Sequence, residues 1–377
     1  MASLNNINTE SFFSLLRAGL WENTDLLSSY EGAEWGAVYK LAREQTVLGL
    51  VAAGVGYAKS KGFKISEEEM GQLMGDVVYL ELMNSEMNSF IADIVGKMRK
   101  EGIYSLIVKG QGIGQCYEKP MWRGVGDVDF FLDAENYEKA KRFFSSVSTH
   151  CETEGLYSKH FSCHVGNWVV ELHGTLHCGL SRRIDKELDE IQADTFENKR
   201  IRVWNNGGCE VYLPCVDNDV LFVFTHILKH FYIGGVGLRQ LCDWCRMLWK
   251  YRSEIDAQLL EQRLSRMGLL GVWRAFGTFA VVYLGMPVEA MPLYRESAKL
   301  KRKAKKIYSF VVEVGNFGKN RDLSYYSSRP YVVRKAISMK WRIGDAFRHT
   351  GIFPWESLRY LPRILFNGLR SAVRGEG

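Results

Sequence analysis

The stretch GDVDFFL, residues 126–132, decides the fold that we predict for this chain. Its apolar residues are typical of a buried strand, yet Asp127 and Asp129 interrupt the run. Alternate side chains of a strand face the same side, so both carboxylates are expected to project together while Val128 and Phe130 point the opposite way. Unpaired carboxylates are costly in a core, which predicts that this strand carries its acids toward a functional cleft.

Two carboxylates at close range repel each other, and a divalent cation between them makes the arrangement favourable. Hard oxygen ligands suit Mg²⁺ or Mn²⁺, so Asp127 and Asp129 predict metal-assisted phosphoryl chemistry. Such sites usually contain a third acid, and Glu171 interrupts the apolar strand NWVVELHG with His173 on the same face. Glu171 is the predicted third ligand. His173 either positions Glu171 or a phosphate, or has a purely structural role.

A glycine-rich turn precedes the two aspartates. The stretch LIVKGQGIGQ, residues 106–115, predicts a strand that enters a turn before a short helix, and backbone N–H groups at such a turn bind phosphate oxygens. It fits neither the dinucleotide fingerprint, whose third glycine would fall at Gln115, nor the Gly-Lys-Ser/Thr ending of a P-loop. Lys109 and Arg123 flank the turn and are candidate phosphate contacts, or else solvated chain ends or partners of the acids.

The spacing of apolar residues divides the chain into three predicted regions. Residues 1–102 form an N-terminal helical region of about three helices, the last of which is capped by Ser66. Residues 103–215 follow the order βαβαβββ, with hairpin turns at Gly166-Asn167 and Asn205–Gly208. Residues 216–377 are again helical and end in a basic tail. The predicted fold class is therefore α+β.

The charge of the chain is concentrated at its C-terminal end. Residues 301–377 hold 17 Lys and Arg against 5 Asp and Glu. Basic residues that alternate with aromatic ones are typical of a membrane-surface helix or a nucleic-acid groove, and also of a helical bundle with a solvated basic face. No apolar stretch approaches the ~18 residues of a membrane span, and no secretory pattern opens the chain. We therefore expect a cytoplasmic protein, with peripheral contact at the inner membrane surface as one option.

The motifs together resemble the DNA polymerase β-type nucleotidyltransferase superfamily. The resemblance rests on the Gly110-Gln111 turn, on Gly126-Asp127-Val128-Asp129 and on Glu171 in a later strand. The run LIVKGQGIGQCYEKPMWRGVGDVDFFL, with Glu171-Leu172-His173, THILKH and GLRQLCDW, more specifically resembles a bacterial family of uncharacterised nucleotidyltransferases often linked to polysaccharide biosynthesis. It covers about residues 30 to 260. Two departures are Gln111, where the superfamily usually has Ser or Gly, and a longer interval between Gly110 and Asp127.

The resemblance implies a polymerase β-like core, a mixed sheet with helices, between helical regions. It implies metal-dependent transfer of a nucleoside monophosphate from an NTP, such as ATP, to an unknown acceptor, for which a small molecule or sugar is favoured. Gly110, Gln111 and Arg239 are then expected near the nucleotide. Two alternatives remain: a toxin–antitoxin-type enzyme that modifies protein or tRNA, and a catalytically silent NTP-binding scaffold.

Two pairs in the later helices have less specific readings. His226 and His230, at positions i and i+4, have a zinc-binding spacing, but without an evident third ligand a histidine-lined cleft or simple packing is favoured. Arg239 and Asp243 share the same spacing and could pair with each other, or, as the resemblance implies for a segment near the cleft, contact the substrate.

Overall fold

The computed structural model shows a mixed α+β chain in which helices precede and follow one five-stranded sheet, as the α+β prediction requires. The structure describes residues 2–28, 32–152, 160–315, 318 and 331–373. The helices before the sheet are α1 (Ala2–Trp21), α2 (Trp35–Glu44), α3 (Leu48–Lys59) and α4 (Glu67–Lys100). Those within the strand region are α5 (Gly110–Gly114), α6 (Ala134–Val147) and α7 (Arg182–Phe196). The later helices are α8 (Val216–Ile233), α9 (Leu238–Lys250), α10 (Ala257–Met267), α11 (Leu270–Leu284), α12 (Ala298–Val314), α13 (Tyr331–Ile352) and α14 (Pro354–Val373).

The five-stranded sheet is mixed. Its strands are β1 (Leu106–Val108), β2 (Val128–Phe131), β3 (His150–Cys151), β4 (His160–Val165) and β5 (Trp168–His173). They lie in the order β1-β2-β5-β4-β3, and only β2 and β5 run parallel among these pairs. The predicted hairpin turn at Gly166-Asn167 joins β4 to β5. A separate hairpin, β6 (Ile201–Asn206) and β7 (Cys209–Pro214), follows α7.

Strand β2 separates two parts of the hydrophobic core. Val128 and Phe130 pack into a cluster with residues of α4 and α6, whereas Phe131 packs into the larger cluster that contains the C-terminal helices. All four residues of β2 are buried. Because Asp129 lies two residues before Phe131, its side chain faces the same side of the sheet as Phe131, the side where the C-terminal helices pack. The alternation in GDVDFFL therefore directs the acids toward α8 and α9.

Two features of the predicted element order are wrong. Helix α7 lies between β5 and the second hairpin, and β3 precedes β4, so the described residues of the region form seven strands and three α-helices where βαβαβββ has five strands and two helices. The N-terminal region has four helices instead of three, because Thr46, with φ +54°, ends α2 and separates it from α3. The cap at Ser66 is present, and its hydroxyl accepts a hydrogen bond from the Glu69 amide.

The N-terminal and C-terminal helices share one core. Gly19 of α1 and Gly54 of α3 allow these helices to touch, since an added Cβ would meet backbone atoms of the opposite helix at 2.0 Å or less. Leu16 of α1, Phe224 of α8 and Phe276 of α11 are all fully buried in the same cluster.

Within the described part of the chain, no helix combines the length and apolar character needed to cross a membrane. Three parts of the basic tail, residues 316–317, 319–330 and 374–377, lie outside the described residues.

Candidate active site

Strand register brings three carboxylates together at the central strands β2 and β5 of the sheet. Parallel pairing of β2 with β5 places Asp129 opposite Glu171, and antiparallel pairing with β1 places Val108 on the other side of Asp129. Asp127 immediately precedes β2. One carboxylate oxygen of each of Asp127, Asp129 and Glu171 lies within 4.8 Å of the others. The three acids predicted to be metal ligands therefore do lie together.

Asp129 is the most enclosed of the three acids, with its side chain 2 % exposed. Its Oδ1 accepts hydrogen bonds from Lys109 Nζ at 2.6 Å and from His173 Nε2 at 2.7 Å. Burial alone would raise the pKa of Asp129, but Lys109 and His173 hold it well below its ordinary value. Burial lowers the pKa of His173, so its imidazole is neutral and donates to the ionised Asp129.

Glu171 is oriented by a histidine from the neighbouring strand. His160 Nε2 donates to Glu171 Oε2 at 2.9 Å, while His173 Nε2 lies 3.5 Å from the same oxygen. Burial opposes ionisation of Glu171, yet the His160 hydrogen bond keeps the pKa of Glu171 below its ordinary value. His160, Glu171 and His173 form a second group that could hold a metal ion, with mixed nitrogen and oxygen donors.

Asp127 carries the excess negative charge of the cluster. The neighbouring Asp129 carboxylate, together with burial, raises the pKa of Asp127 to about 6. Lys109 lies between the acids as the ammonium partner of Asp129, and it opposes this shift without cancelling it. A set of three carboxylates with one lysine is short of positive charge. Its hard oxygen donors fit a divalent cation of the Mg²⁺ or Mn²⁺ type.

The glycine turn has a backbone that few residues adopt. Lys109 and Gly110 have φ values of +59° and +41° as the chain passes from β1 into α5. Gln111 is buried, and its Nε2 donates to Oδ1 of Asn84 at 3.1 Å and of Asn88 at 2.8 Å on α4. The Gln111 side chain therefore anchors α5 to α4, and Gln111 is not among the residues that line the cleft.

Arg123 lines the cleft, but its guanidinium is already hydrogen-bonded within the protein. Its Nε and Nη2 each donate to the carboxylate of Asp243 at 2.8 Å, and the Tyr117 hydroxyl donates to the same carboxylate at 2.8 Å. The pairing that the spacing of Arg239 and Asp243 allowed does not form in the described structure, because Asp243 bonds to Arg123 across 120 residues of sequence. Arg239 Nη1 instead donates to the carbonyl oxygens of Gly124 at 3.1 Å and Val125 at 2.9 Å, so it supports the turn that leads to Asp127.

A cavity of about 300 Å³ extends from the carboxylates to α8 and α9. Its α8 wall includes His226, Lys229 and His230. His226 and His230 contact each other through their Nε2 atoms at 2.9 Å, and burial lowers the pKa of His226 far below its ordinary value and that of His230 to about 3. Both imidazoles are therefore neutral at pH 7, and both line the cleft, which is one of the positions expected for this pair.

Two residues of the site were not singled out from the sequence. His160 has a recognisable signal, because a two-residue turn at Gly166-Asn167 sets the hairpin register and places His160 opposite His173. Lys229 lies in THILKH, a stretch that contributes to the resemblance, but its position in the cleft depends on how α8 packs against the sheet. Neither residue belongs to the motifs that define the aspartate pair.

The fold and the site define an α+β enzyme whose carboxylate cluster lies at the central strands of the sheet, beside a strand–glycine-turn–helix unit and at one end of a cleft. A family model described as uncharacterised nucleotidyltransferase matches residues 31–285, well over half of the chain. The chain belongs to this nucleotidyltransferase family, which makes it an enzyme with an NTP substrate. Neither the curated proteins nor the solved structures that were compared contain a match.

Proposed function

We propose that this protein transfers a nucleoside monophosphate from an NTP to an acceptor hydroxyl, using a divalent cation held by Asp127, Asp129 and Glu171. The observation that carries the proposal is the convergence of these carboxylates within 4.8 Å, beside the glycine turn and inside the cleft. The raised pKa of Asp127 supports it, because the cluster has more negative charge than Lys109 balances.

When bound, Mg²⁺ or Mn²⁺ would neutralise the triphosphate and activate the reacting phosphoryl group. The acceptor oxygen forms a bond to the α-phosphorus, the bond from that phosphorus to the β-phosphate oxygen breaks, and pyrophosphate leaves. Glu171, held by His160, accepts the proton of the acceptor hydroxyl. Lys109 and the backbone of the Gly110-Gln111 turn hold the phosphates.

The remaining predicted contacts take positioning roles in this proposal. His173 fixes the carboxylate of Asp129 through the 2.7 Å hydrogen bond. Arg123 and Arg239 shape the wall of the cleft, Arg123 through Asp243 and Arg239 through the carbonyl oxygens before Gly126. Both arginines line the cavity, which supports a place for them beside the nucleotide.

We propose a small-molecule or sugar hydroxyl as the acceptor, in the setting of surface polysaccharide biosynthesis. A cavity of about 300 Å³ has the size of a small-ligand site, which supports a compact acceptor. Modification of tRNA or protein, the toxin–antitoxin alternative, would need a macromolecule to reach the carboxylates through the cleft mouth. The silent scaffold is the third candidate, in which NTP binds without turnover.

The test is incubation of the protein with each α-³²P-labelled NTP, Mg²⁺ and cell extract, followed by separate resolution of small molecules, RNA and protein. Asp129→Asn is expected to reduce label transfer by more than about a hundredfold. Asp93→Asn is the matched control, because Asp93 is exposed on α4 and pairs only with Lys97 among its described ion pairs. Undiminished transfer by Asp129→Asn would refute the metal site, and binding without transfer to any acceptor would favour the scaffold.

We also propose that α13 and α14 contact an anionic membrane surface on the cytoplasmic side. Phe347 of α13 and Trp355 of α14 are 75 % and 78 % exposed, and Leu358 and Phe366 continue the exposed stripe of α14 at helical spacing. The two helices contain eight Lys and Arg against two Asp and Glu. Exposed aromatic side chains on basic helices match the requirements of a lipid headgroup surface.

Vesicle sedimentation tests this surface. The protein is expected to sediment with phosphatidylglycerol vesicles and not with phosphatidylcholine vesicles, and Phe347→Ser/Trp355→Ser is expected to reduce the bound fraction several-fold. Val78→Ser/Leu82→Ser on α4 is the control, since these exposed apolar residues lie in another helix. Unchanged sedimentation of the α13–α14 variant, or preferential binding of RNA in place of vesicles, would refute the membrane assignment.

A further inference from the structure

The cations that border the cleft differ in whether the protein supplies their partners. Lys109 pairs with Asp129, Arg123 pairs with Asp243, and Arg239 donates to two backbone carbonyl oxygens. Lys229 lines the same cavity, yet it forms no hydrogen bond or ion pair with any residue in the described part of the chain. Among the described lysines and arginines of this cavity, Lys229 is the one without such a partner.

An unpaired lysine in a largely enclosed place is unfavourable for the free protein. Burial lowers the pKa of Lys229, and the nearby ammonium of Lys109 lowers it further. The nearest opposing charges are Glu171 and Asp129, which already have partners in His160 and Lys109. A cation kept at such a cost is expected where a substrate supplies the anion.

The distribution of charge along the cleft indicates which anion fits. One end carries the three carboxylates of the proposed cation site, and the α8 wall carries Lys229 together with the neutral imidazoles of His226 and His230, which contact each other. A ligand that reaches from a divalent cation to an ammonium must present several anionic oxygens. Phosphoryl groups have this property, and a compact lysine ammonium binds them as a point charge.

We propose that Lys229 binds a phosphoryl group of a substrate, with the neighbouring His226 and His230 forming an uncharged part of the same wall. The inference rests on the proposed nucleotidyl transfer and names the residue on α8 that recognises the substrate's anionic end. The phosphoryl group belongs either to the triphosphate of the NTP or to a phosphorylated acceptor. Both sources present the same oxygens to Lys229, and binding experiments separate them.

The experiment uses the full chain and two probes that contain no base, Mg²⁺–tripolyphosphate for the NTP and inorganic phosphate for the acceptor. Calorimetry is performed on the wild type, Lys229→Met, Lys229→Arg and the control Lys250→Met, which changes an exposed lysine at the end of α9. If the source is the NTP, Lys229→Met weakens tripolyphosphate binding by about tenfold or more, and Lys229→Arg retains most of it.

If the source is the acceptor, tripolyphosphate binding is unchanged in Lys229→Met. Inorganic phosphate then binds the tripolyphosphate-loaded wild type and not the loaded Lys229→Met variant. Either result supports the inference, provided that Lys250→Met behaves as the wild type. Equal binding of both probes by the wild type and Lys229→Met would overturn it while leaving nucleotidyl transfer intact. Wild-type protein that binds neither probe would also overturn it, and the proposed function fails only if label transfer is absent as well.

A stability measurement separates substrate binding from a structural role. Because Lys229 has no partner, Lys229→Met is expected to unfold without ligand at the same temperature as the wild type or a few degrees higher. Tripolyphosphate or phosphate is then expected to raise the midpoint of the wild type more than that of the variant. A variant that unfolds at a lower temperature and keeps full binding of both probes would show that Lys229 serves the fold and would contradict the inference.

Discussion

Two buried charge clusters border the same cleft and are built on opposite principles. In the first, Arg123, Asp243 and Tyr117 satisfy one another through three hydrogen bonds of 2.8 Å each. In the second, Asp127, Asp129 and Glu171 share one lysine and two histidines, and the pKa of Asp127 rises to about 6. A complete cluster holds two elements together, whereas an incomplete cluster leaves charge for a ligand to balance. Completeness thus separates structural charges from functional ones in this protein.

The largest effect is expected from breaking the complete cluster. Arg123→Met leaves the Asp243 carboxylate buried beside Tyr117 with no cation, and such a change destabilises a protein by about 3 to 5 kcal/mol. Denaturant unfolding of the variant measures the loss. The double variant Arg123→Met/Asp243→Leu should recover much of it, because neither charge is then left alone. A loss below about 1 kcal/mol would mean that the pair does not hold α9 to the core.

An opposite effect is expected from the incomplete cluster. The pKa of Asp127 is raised from 3.8 to about 6, so the native state favours the protonated form, and the associated stability is present below pH 4 and lost as the pH rises through 6. Asp127→Asn removes this loss. It should therefore be more stable than the wild type by about 2 to 3 kcal/mol at pH 8, and the difference should vanish near pH 4.

Chemical denaturation of both proteins between pH 4 and pH 8 checks this prediction, and the difference between them isolates Asp127 from the other titrating groups. Label transfer by Asp127→Asn should be lost even though the protein is more stable. Equal stability at pH 8 would show that Asp127 and Asp129 do not repel each other strongly in the folded chain.

A smaller effect is expected from the histidine that orients Glu171. His160→Ala removes the 2.9 Å hydrogen bond to Glu171 while leaving the three carboxylates in place. Loss of a partner that orients a metal ligand typically lowers metal affinity by about 10- to 100-fold. Mn²⁺ affinity of the variant measures the effect, and His164→Ala, an exposed histidine of the same strand, is the control. Identical Mn²⁺ affinities would remove His160 from the site.

Particular residues show how far the sequence predicts this structure. The alternation in GDVDFFL places Phe130 and Phe131 on opposite faces, and the two-residue turn at Gly166-Asn167 sets the β4–β5 register. Strand alternation and a two-residue turn are both local patterns, so each can be recognised directly in the sequence. The parallel pairing that sets Asp129 opposite Glu171 joins distant segments, and the third acid could be proposed only because it interrupts an apolar strand.

The misses have physical causes as well. The buried apolar residues of helix α7 are Ile184, Leu188, Ile191 and Phe196, in a segment where more than half of the residues are charged. Thr46 interrupts the second predicted helix because its backbone is left-handed, a conformation that a threonine in the sequence does not predict. The i, i+4 spacing of Arg239 and Asp243 suggested a pair. Asp243 instead accepts two hydrogen bonds from the guanidinium of Arg123, which lies in the segment before β2.

The central claim is that Asp127, Asp129 and Glu171 hold a divalent cation for nucleotidyl transfer. Its most direct test is anomalous diffraction from crystals grown with Mn²⁺ and a non-hydrolysable NTP. We predict a Mn²⁺ peak in contact with carboxylate oxygens of Asp127 and Asp129, with the Lys109 ammonium displaced from Asp129 toward the phosphates. Bound nucleotide with no anomalous peak at these carboxylates, and with Lys109 still paired to Asp129, would contradict the account.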